Sequence, residues 1–220
     1  MCGRYQAWVD DDDLVRVIER EKKGMAEEYF RRQEVFPGTE MPVLYGAYST
    51  VRAHVSRWGF ELPEDTPNGK AEERDSQSER KKKSPRLLIN ARAETAAEKP
   101  LFRDSVKFGR SVVLADGYYE WASRSGLSCG KQKYFFTPSR NEPVLLMAAL
   151  ETVNLEEKAD FRRRYVILTT EAQGAVTSVH DRMPLLLHKD ELRLWLYDEE
   201  FALFRMQNPR SWDLSLCAAG

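Results

Sequence analysis

Apolar positions recur with two different periods along this chain, and the elements follow from them. In DDLVRVIEREKKGMAEEYFRR, residues 12–32, Leu14, Val17, Ile18 and Met25 return at the spacing of one helix face behind a cluster of aspartates. That pattern predicts a helix over the whole stretch. PGT at Pro37 to Thr39 marks a turn, and VRAHVSRW after it alternates strictly. Val51, Ala53 and Val55 are expected to face a core, with Arg52, His54 and Ser56 toward water or a groove and His54 an ordinary surface strand residue. Strand-like runs follow at SVVLADGYYEW, KYFFT, PVLLMAAL and YVILTT; a short helix is expected near EAQGAVTSV and amphipathic helices near KDELRLWLY and EEFALFRM. Several strands with few helices between them do not suit an alternating parallel arrangement, so the expected class is α+β with a curled, largely antiparallel sheet.

Residues 61–86, ELPEDTPNGKAEERDSQSERKKKSPR, interrupt this order with only Leu62 and Ala71 as simple aliphatic side chains. Such a segment buries too little apolar surface to fold, and it is expected to be a disordered surface loop inserted in a single domain spanning 1–220. Its lysine run is expected to be a solvated charge cluster rather than a specific binding site.

Composition narrows the class further. At 220 residues the chain can bury one sizeable core, and a net charge of −1 conceals an acidic Asp10–Asp13 run and a basic Arg80–Arg86 run. Cys2, Cys129 and Cys217 are distant and odd in number, which argues against a disulfide framework and for a reducing compartment. His54, His180 and His188 have no metal-ligand spacing, so neither a metal nor another cofactor is expected. There is no membrane-length apolar run and no signal peptide, and a monomeric cytoplasmic protein is the expectation.

Candidate chemistry begins with MCGRY. Loss of Met1 would give Cys2 a free α-amine with a pKa of roughly 7.7–8.0 beside a thiol near ~8.5, a pair of nucleophiles that no internal cysteine offers. The plainer reading is a small buried residue opening a strand. In LINARAET, Asn90, Arg92 and Glu94 alternate; if the strand continues they share one face, lining a groove or forming a solvated edge. ADGYYEW has a turn at Asp116-Gly117, then places Tyr118 and Glu120 on one face and Tyr119 and Trp121 on the other. A carboxylate among aromatics gains a raised pKa suited to proton transfer, whereas a partly exposed strand glutamate does not. His180 in VHDRMP is either a proton carrier or a structural loop histidine.

MCGRY, INARAET, VLADGYYEW and VHDRMPLLL, in that order, together with PGT and the Trp58-Gly59 pair, resemble the motif set of the SRAP family (SOS response-associated peptidase) from Cys2 to about Leu187. The resemblance implies a curled sheet or barrel flanked by helices and a protein that senses abasic sites in single-stranded DNA through a covalent bond. It implies that the freed Cys2 amine condenses with the deoxyribose aldehyde and that the thiol closes a thiazolidine. The peptidase label would refer to release of Met1. By the same resemblance Asn90 orients Cys2, Glu120 and His180 move protons, Arg4 and Arg92 bind flanking phosphates, and Thr169 donates a hydrogen bond to the substrate. In a bacterium such a protein would associate with the nucleoid. Two stretches depart from the family pattern. FELPEDTPNG stands where a proline- and tryptophan-bearing loop would stack on bases, and LSLCAAG replaces an asparagine- and proline-containing strand, an end expected to weaken the sheet.

Two other readings stay open on sequence grounds. Met-Cys-Gly also begins glutamine amidotransferase domains, N-terminal-nucleophile amidohydrolases that use the freed cysteine on an amide. A non-covalent single-strand binding module would use Arg92 and aromatic side chains alone.

Overall fold

The aspartates ahead of Leu14 do start a helix. Asp11 accepts hydrogen bonds from the Asp13 and Leu14 amides and caps α1 (Asp12–Glu21), whose first turn carries Asp12 and Asp13 at the positive end of the helix dipole. The helix does not continue to Arg32. Gly24 adopts φ 82°, and the Glu19 carboxylate accepts from the Gly24 and Ala26 amides at 2.6 and 2.7 Å, starting a separate α2 (Met25–Tyr29). Leu14, Ile18 and Met25 are buried, so the periodicity identifies the face but not the break.

The computed structural model describes residues 2–62, 86–123, 131–138, 144–154 and 162–219. Within them the strands are β1 (Tyr5–Ala7), β2 (Gln33–Val35), β3 (Glu40–Ala47), β4 (Thr50–Trp58), β5 (Phe60–Glu61), β6 (Leu87–Leu88), β7 (Asn90–Arg92), β8 (Arg110–Ala115) and β9 (Gly117–Ser123). They continue as β10 (Lys131–Pro138), β11 (Leu145–Glu151), β12 (Arg164–Glu171), β13 (Arg182–Pro184), β14 (Leu186–Leu187) and β15 (Leu214–Ala219). The remaining α-helices are α3 (Ala93–Ala96), α4 (Pro100–Phe108), α5 (Leu192–Tyr197) and α6 (Glu199–Gln207). A 3₁₀ turn at Gly174–Ser178 stands where the short helix is expected.

The fold is α+β, and its larger sheet closes on itself. Pairings run β12–β4–β3–β8–β11 and return from β11 to β12, with Ala149 opposite Ile167 and Trp58 beside Tyr165. Most pairings are antiparallel; β12 pairs in parallel with β4 and β7. Every residue of β11 is buried, with α4 packed on it, which is why PVLLMAAL reads as a continuous apolar run rather than an alternation. A second sheet, ordered β15-β10-β9-β1-β2, carries the N-terminal strand. Asp116 turns the chain from the barrel into this sheet and accepts from the Gln6 side chain at 2.9 Å.

Several expectations need correction. On β4, Ser56 is buried while Val51 and Val55 are half-buried, because α1 packs on this strand and both of its faces are covered. His54 is not a free surface residue: its Nε2 lies 2.9 Å from the buried Glu151 carboxylate. LSLCAAG does not leave the sheet short, since β15 pairs with β10 from Leu214↔Pro138 to Ala219↔Lys133. Of the expected loop, 63–85 lies outside the described residues. Its edges are ordered: Glu61 pairs with Leu87 in the β5–β6 hairpin and forms an ion pair with Arg164.

The β3–β4 hairpin turns through two residues, Tyr48 and Ser49, with φ 46° and 62°. Both conformations favour glycine or asparagine. Giving the turn the asparagine-glycine pair it prefers, Tyr48→Asn with Ser49→Gly, is expected to stabilise the fold by about 1 kcal/mol. A higher denaturant midpoint at unchanged slope would show this; an unchanged or lower midpoint would mean the turn is not strained.

Candidate active site

Two separate parts of the chain converge on Cys2. It lies just ahead of β1, which sits between β2 and β9, and it is 0 % exposed. The Arg4 carbonyl accepts from the Tyr119 amide at 2.9 Å, tying the N-terminal segment alongside Glu120. From the opposite side, the Asn90 Nδ2 donates to the Cys2 carbonyl at 2.8 Å. Asn90 is held there by β7, which runs parallel to β12 with Asn90 beside Ile167.

Glu120 follows the alternation of β9 and faces inward with Tyr118; it is 2 % exposed. Burial raises its pKa above the ordinary 4.5, opposed first by the charge and hydrogen bond of the N-terminal amine and less by the neighbouring His180. Burial also pushes the Cys2 thiol up, and the nearby Glu120 charge pushes it further. The thiol hydrogen-bonds to the Arg4 carbonyl at 3.8 Å. A protonated thiol beside a carboxyl with raised pKa is an environment for proton exchange rather than for a standing thiolate.

His180 follows the 3₁₀ turn and precedes β13. Its Nδ1 accepts the Arg182 amide at 2.9 Å, which places the proton of the neutral ring on Nε2. Asp181 Oδ1 lies 2.7 Å from the same Nδ1. Arg182 is the site residue that sequence reasoning misses. Its guanidinium makes a bidentate pair with Glu94 at 2.9 and 2.8 Å and donates to the Thr169 carbonyl at 2.5 Å. Burial pushes the Glu94 carboxyl up, but its hydrogen bonds and the Arg182 charge outweigh this and hold it below the usual range. The pair fixes the His180 loop against α3 and β12.

The expected strand face of Asn90, Arg92 and Glu94 therefore breaks after Arg92. Glu94 sits on α3, and only Asn90 and Arg92 belong to β7. Arg92 is exposed and lines a groove of about 420 Å³ with Glu171, Ala172, Thr177, His180, Asp181 and Arg182. Thr169 is fully buried behind that groove, its hydroxyl donating to the Ala91 carbonyl at 3.4 Å, so it supports β7 and Arg182 from within. Arg4 is half-buried, paired with Glu34 at 2.9 Å and lying over the Phe36 and Trp121 rings. Among the described residues no group of three or more His, Cys, Asp or Glu is placed to hold a metal ion, and no helix is long and apolar enough to cross a membrane.

The family model for SOS response associated peptidase (SRAP) matches residues 1–211. The chain belongs to the SRAP family. Among curated SRAP relatives, it is 29 % identical over 204 residues to the abasic site processing protein YedK of Escherichia coli, covering 90 % of this chain and 81 % of that one. Identity to the abasic site processing protein YoaM of Bacillus subtilis is 29 % over 201 residues, covering 89 % and 79 %. With the abasic site processing protein HMCES of Gallus gallus it is 32 % over 127 residues, covering 49 % and 37 %. The SRAP fold here also matches the crystal structure of a phage-related protein from Bordetella bronchiseptica with a TM-score of 0.70 at 23 % identity, covering 99 % and 94 %.

Proposed function

We propose that this chain processes abasic sites in single-stranded DNA by forming a covalent thiazolidine crosslink through Cys2 after Met1 is released. The observation that carries the reading is the convergence on Cys2: Asn90 grips its carbonyl, while Glu120 lies close enough for its charge to act on the thiol. The relatives named for abasic site processing support the substrate class.

The order of steps follows from the thiol. Because burial keeps it protonated, the α-amine freed from Met1 is the first nucleophile; it adds to the C1′ aldehyde of the ring-opened sugar. Loss of water gives the imine, with a proton delivered to the departing hydroxyl by Glu120 or His180. The thiol then adds across the C=N bond, sulfur to carbon and proton to nitrogen, and the five-membered ring closes. The net change is aldehyde plus aminothiol to thiazolidine plus one water. Asn90 orients the nucleophile, Arg92 and Arg4 hold flanking phosphates, and Thr169 maintains the wall behind Arg182.

A denaturing gel tests the reading directly. Single-stranded DNA carrying one abasic site is expected to give a slow band that survives denaturant, and intact DNA of the same sequence is not. A complex seen only on native gels would instead be non-covalent binding, and glutaminase activity without any crosslink would point to amidohydrolase chemistry.

Arg92 contributes in this account through phosphate electrostatics. Arg92→Ala is expected to weaken single-strand binding at every sequence and to make its salt dependence shallower by roughly 0.7 log units per log unit of salt. An unchanged slope would assign Arg92 a structural role rather than a DNA contact.

A further inference from the structure

We propose that the groove between α5 and α6 docks a short basic segment of a partner protein that presents an apolar face. None of the residues placed around Cys2 takes part in it. The groove encloses about 820 Å³, with Leu194, Tyr197 and Leu203 as its apolar lining and Asp198, Glu199 and Glu200 as its acidic one. Five of the nine exposed large apolar side chains among the described residues, Tyr48, Leu194, Tyr197, Leu203 and Phe204, belong to this one corner of the fold. A cluster of that kind on a water-facing surface marks a contact site.

The corner is built rather than frayed. Gly46 of β3 lies so close to the Tyr197 ring that a Cβ there would stand 2.8 Å from it, which seats the β3–β4 hairpin on α5. Arg193 donates to the Ser49 carbonyl at 2.9 Å and lies over the Tyr197 ring, fastening the turn itself. Its positive charge is thus committed to the groove wall, while Arg110, anchored on the Trp195 carbonyl, acts on Asp198 and Glu199 from behind and leaves Glu200 without either. Beside the groove, the strained turn presents Tyr48 at 96 % exposure, a bulky aromatic at a position whose backbone favours asparagine or glycine. Tyr48 thus adds exposed aromatic surface beside the groove.

Charge selects the occupant. The carboxylates of Glu199, Glu200 and Asp198 repel a polyanion, so nucleic acid does not fit, while lysine or arginine flanking an apolar face satisfies both the rim and the floor. A probe is a fluorescein-labelled peptide of repeated Lys-Leu-Leu-Lys units, compared by anisotropy with its counterpart in which every lysine is glutamate. The expected result is saturable binding of the lysine peptide at least about tenfold tighter than the glutamate peptide. Glu199→Lys with Glu200→Lys should erase that preference. Leu203→Asp, at a partly exposed position, should weaken both peptides. Tyr48→Asn with Ser49→Gly, with folding checked by its denaturant midpoint, should weaken the lysine peptide while abasic-site crosslinking stays at the wild-type rate. Equal binding of the two peptides, or binding indifferent to these substitutions, overturns the proposal. A concentration-dependent dimer in analytical ultracentrifugation that disappears with Leu203→Asp also overturns it, because the occupant would then be a second copy of the chain.

Discussion

Cys2→Ala is expected to abolish the denaturation-resistant adduct with abasic single-stranded DNA while leaving non-covalent binding near the wild-type level. The side chain is small and fully buried, and alanine leaves the backbone carbonyl that accepts from Asn90 in place. Fold and groove should therefore persist, and the loss is chemical. The alanine variant still has an α-amine once Met1 is gone, so it can form an imine; without sulfur the imine reverts to aldehyde and amine in water. Cys2→Ser separates the two nucleophiles further. Its imine should be trapped by borohydride and lost without it. An alanine variant that crosslinks as stably as wild type would remove the thiol from the reaction.

Glu120→Gln and His180→Ala are expected to slow crosslinking by about 10²–10⁴-fold if each acts in general acid–base catalysis, without loss of fold or DNA affinity. The pH dependence carries the sign. The folded pKa of Glu120 is raised above 4.5, so its acid form persists to higher pH than that of an exposed glutamate. The amine must be unprotonated to attack, which makes the rate rise with pH; loss of the Glu120 proton makes it fall. Wild type should show both limbs in single-turnover rates, and Glu120→Gln should lose the descending one. His180→Ala removes the ring whose Nε2 proton is set by the Arg182 amide, and circular dichroism checks that the β13 loop survives. Wild-type rates in either variant would leave Cys2 acting by proximity alone.

Much of this site is legible in the sequence, because its local parts have local signatures. Simple alternation in GYYEW puts Tyr118 and Glu120 on one face, and both side chains are buried. Alternation serves less well in VRAHVSRW, since both faces of β4 are covered and period no longer separates core from surface. The break at Gly24 escapes the pattern because helical spacing persists through it; the capping carboxylate of Glu19 five residues earlier is the signal that marks it. The Arg182–Glu94 pair spans 88 residues of chain, a distance over which a single sequence carries no pairing information. It also explains why Glu94 reads as a continuation of the strand of Asn90 and Arg92: three alternating polar residues fit an edge strand and a strand-to-helix transition equally well. Barrel closure through β11 and β12 likewise depends on a long-range pairing that apolar runs do not reveal.

Mass spectrometry of the isolated adduct tests the covalent mechanism most directly. The account predicts an N-terminal peptide that begins at Cys2, lacks Met1, and carries the abasic sugar with the loss of one water. Its mass should not change on borohydride treatment, and its sulfur should resist alkylation, because both nucleophiles are closed in one ring. An adduct on a lysine, an adduct on a chain that retains Met1, or a Cys2 adduct that gains two hydrogens from borohydride while its thiol is alkylated would each contradict the thiazolidine.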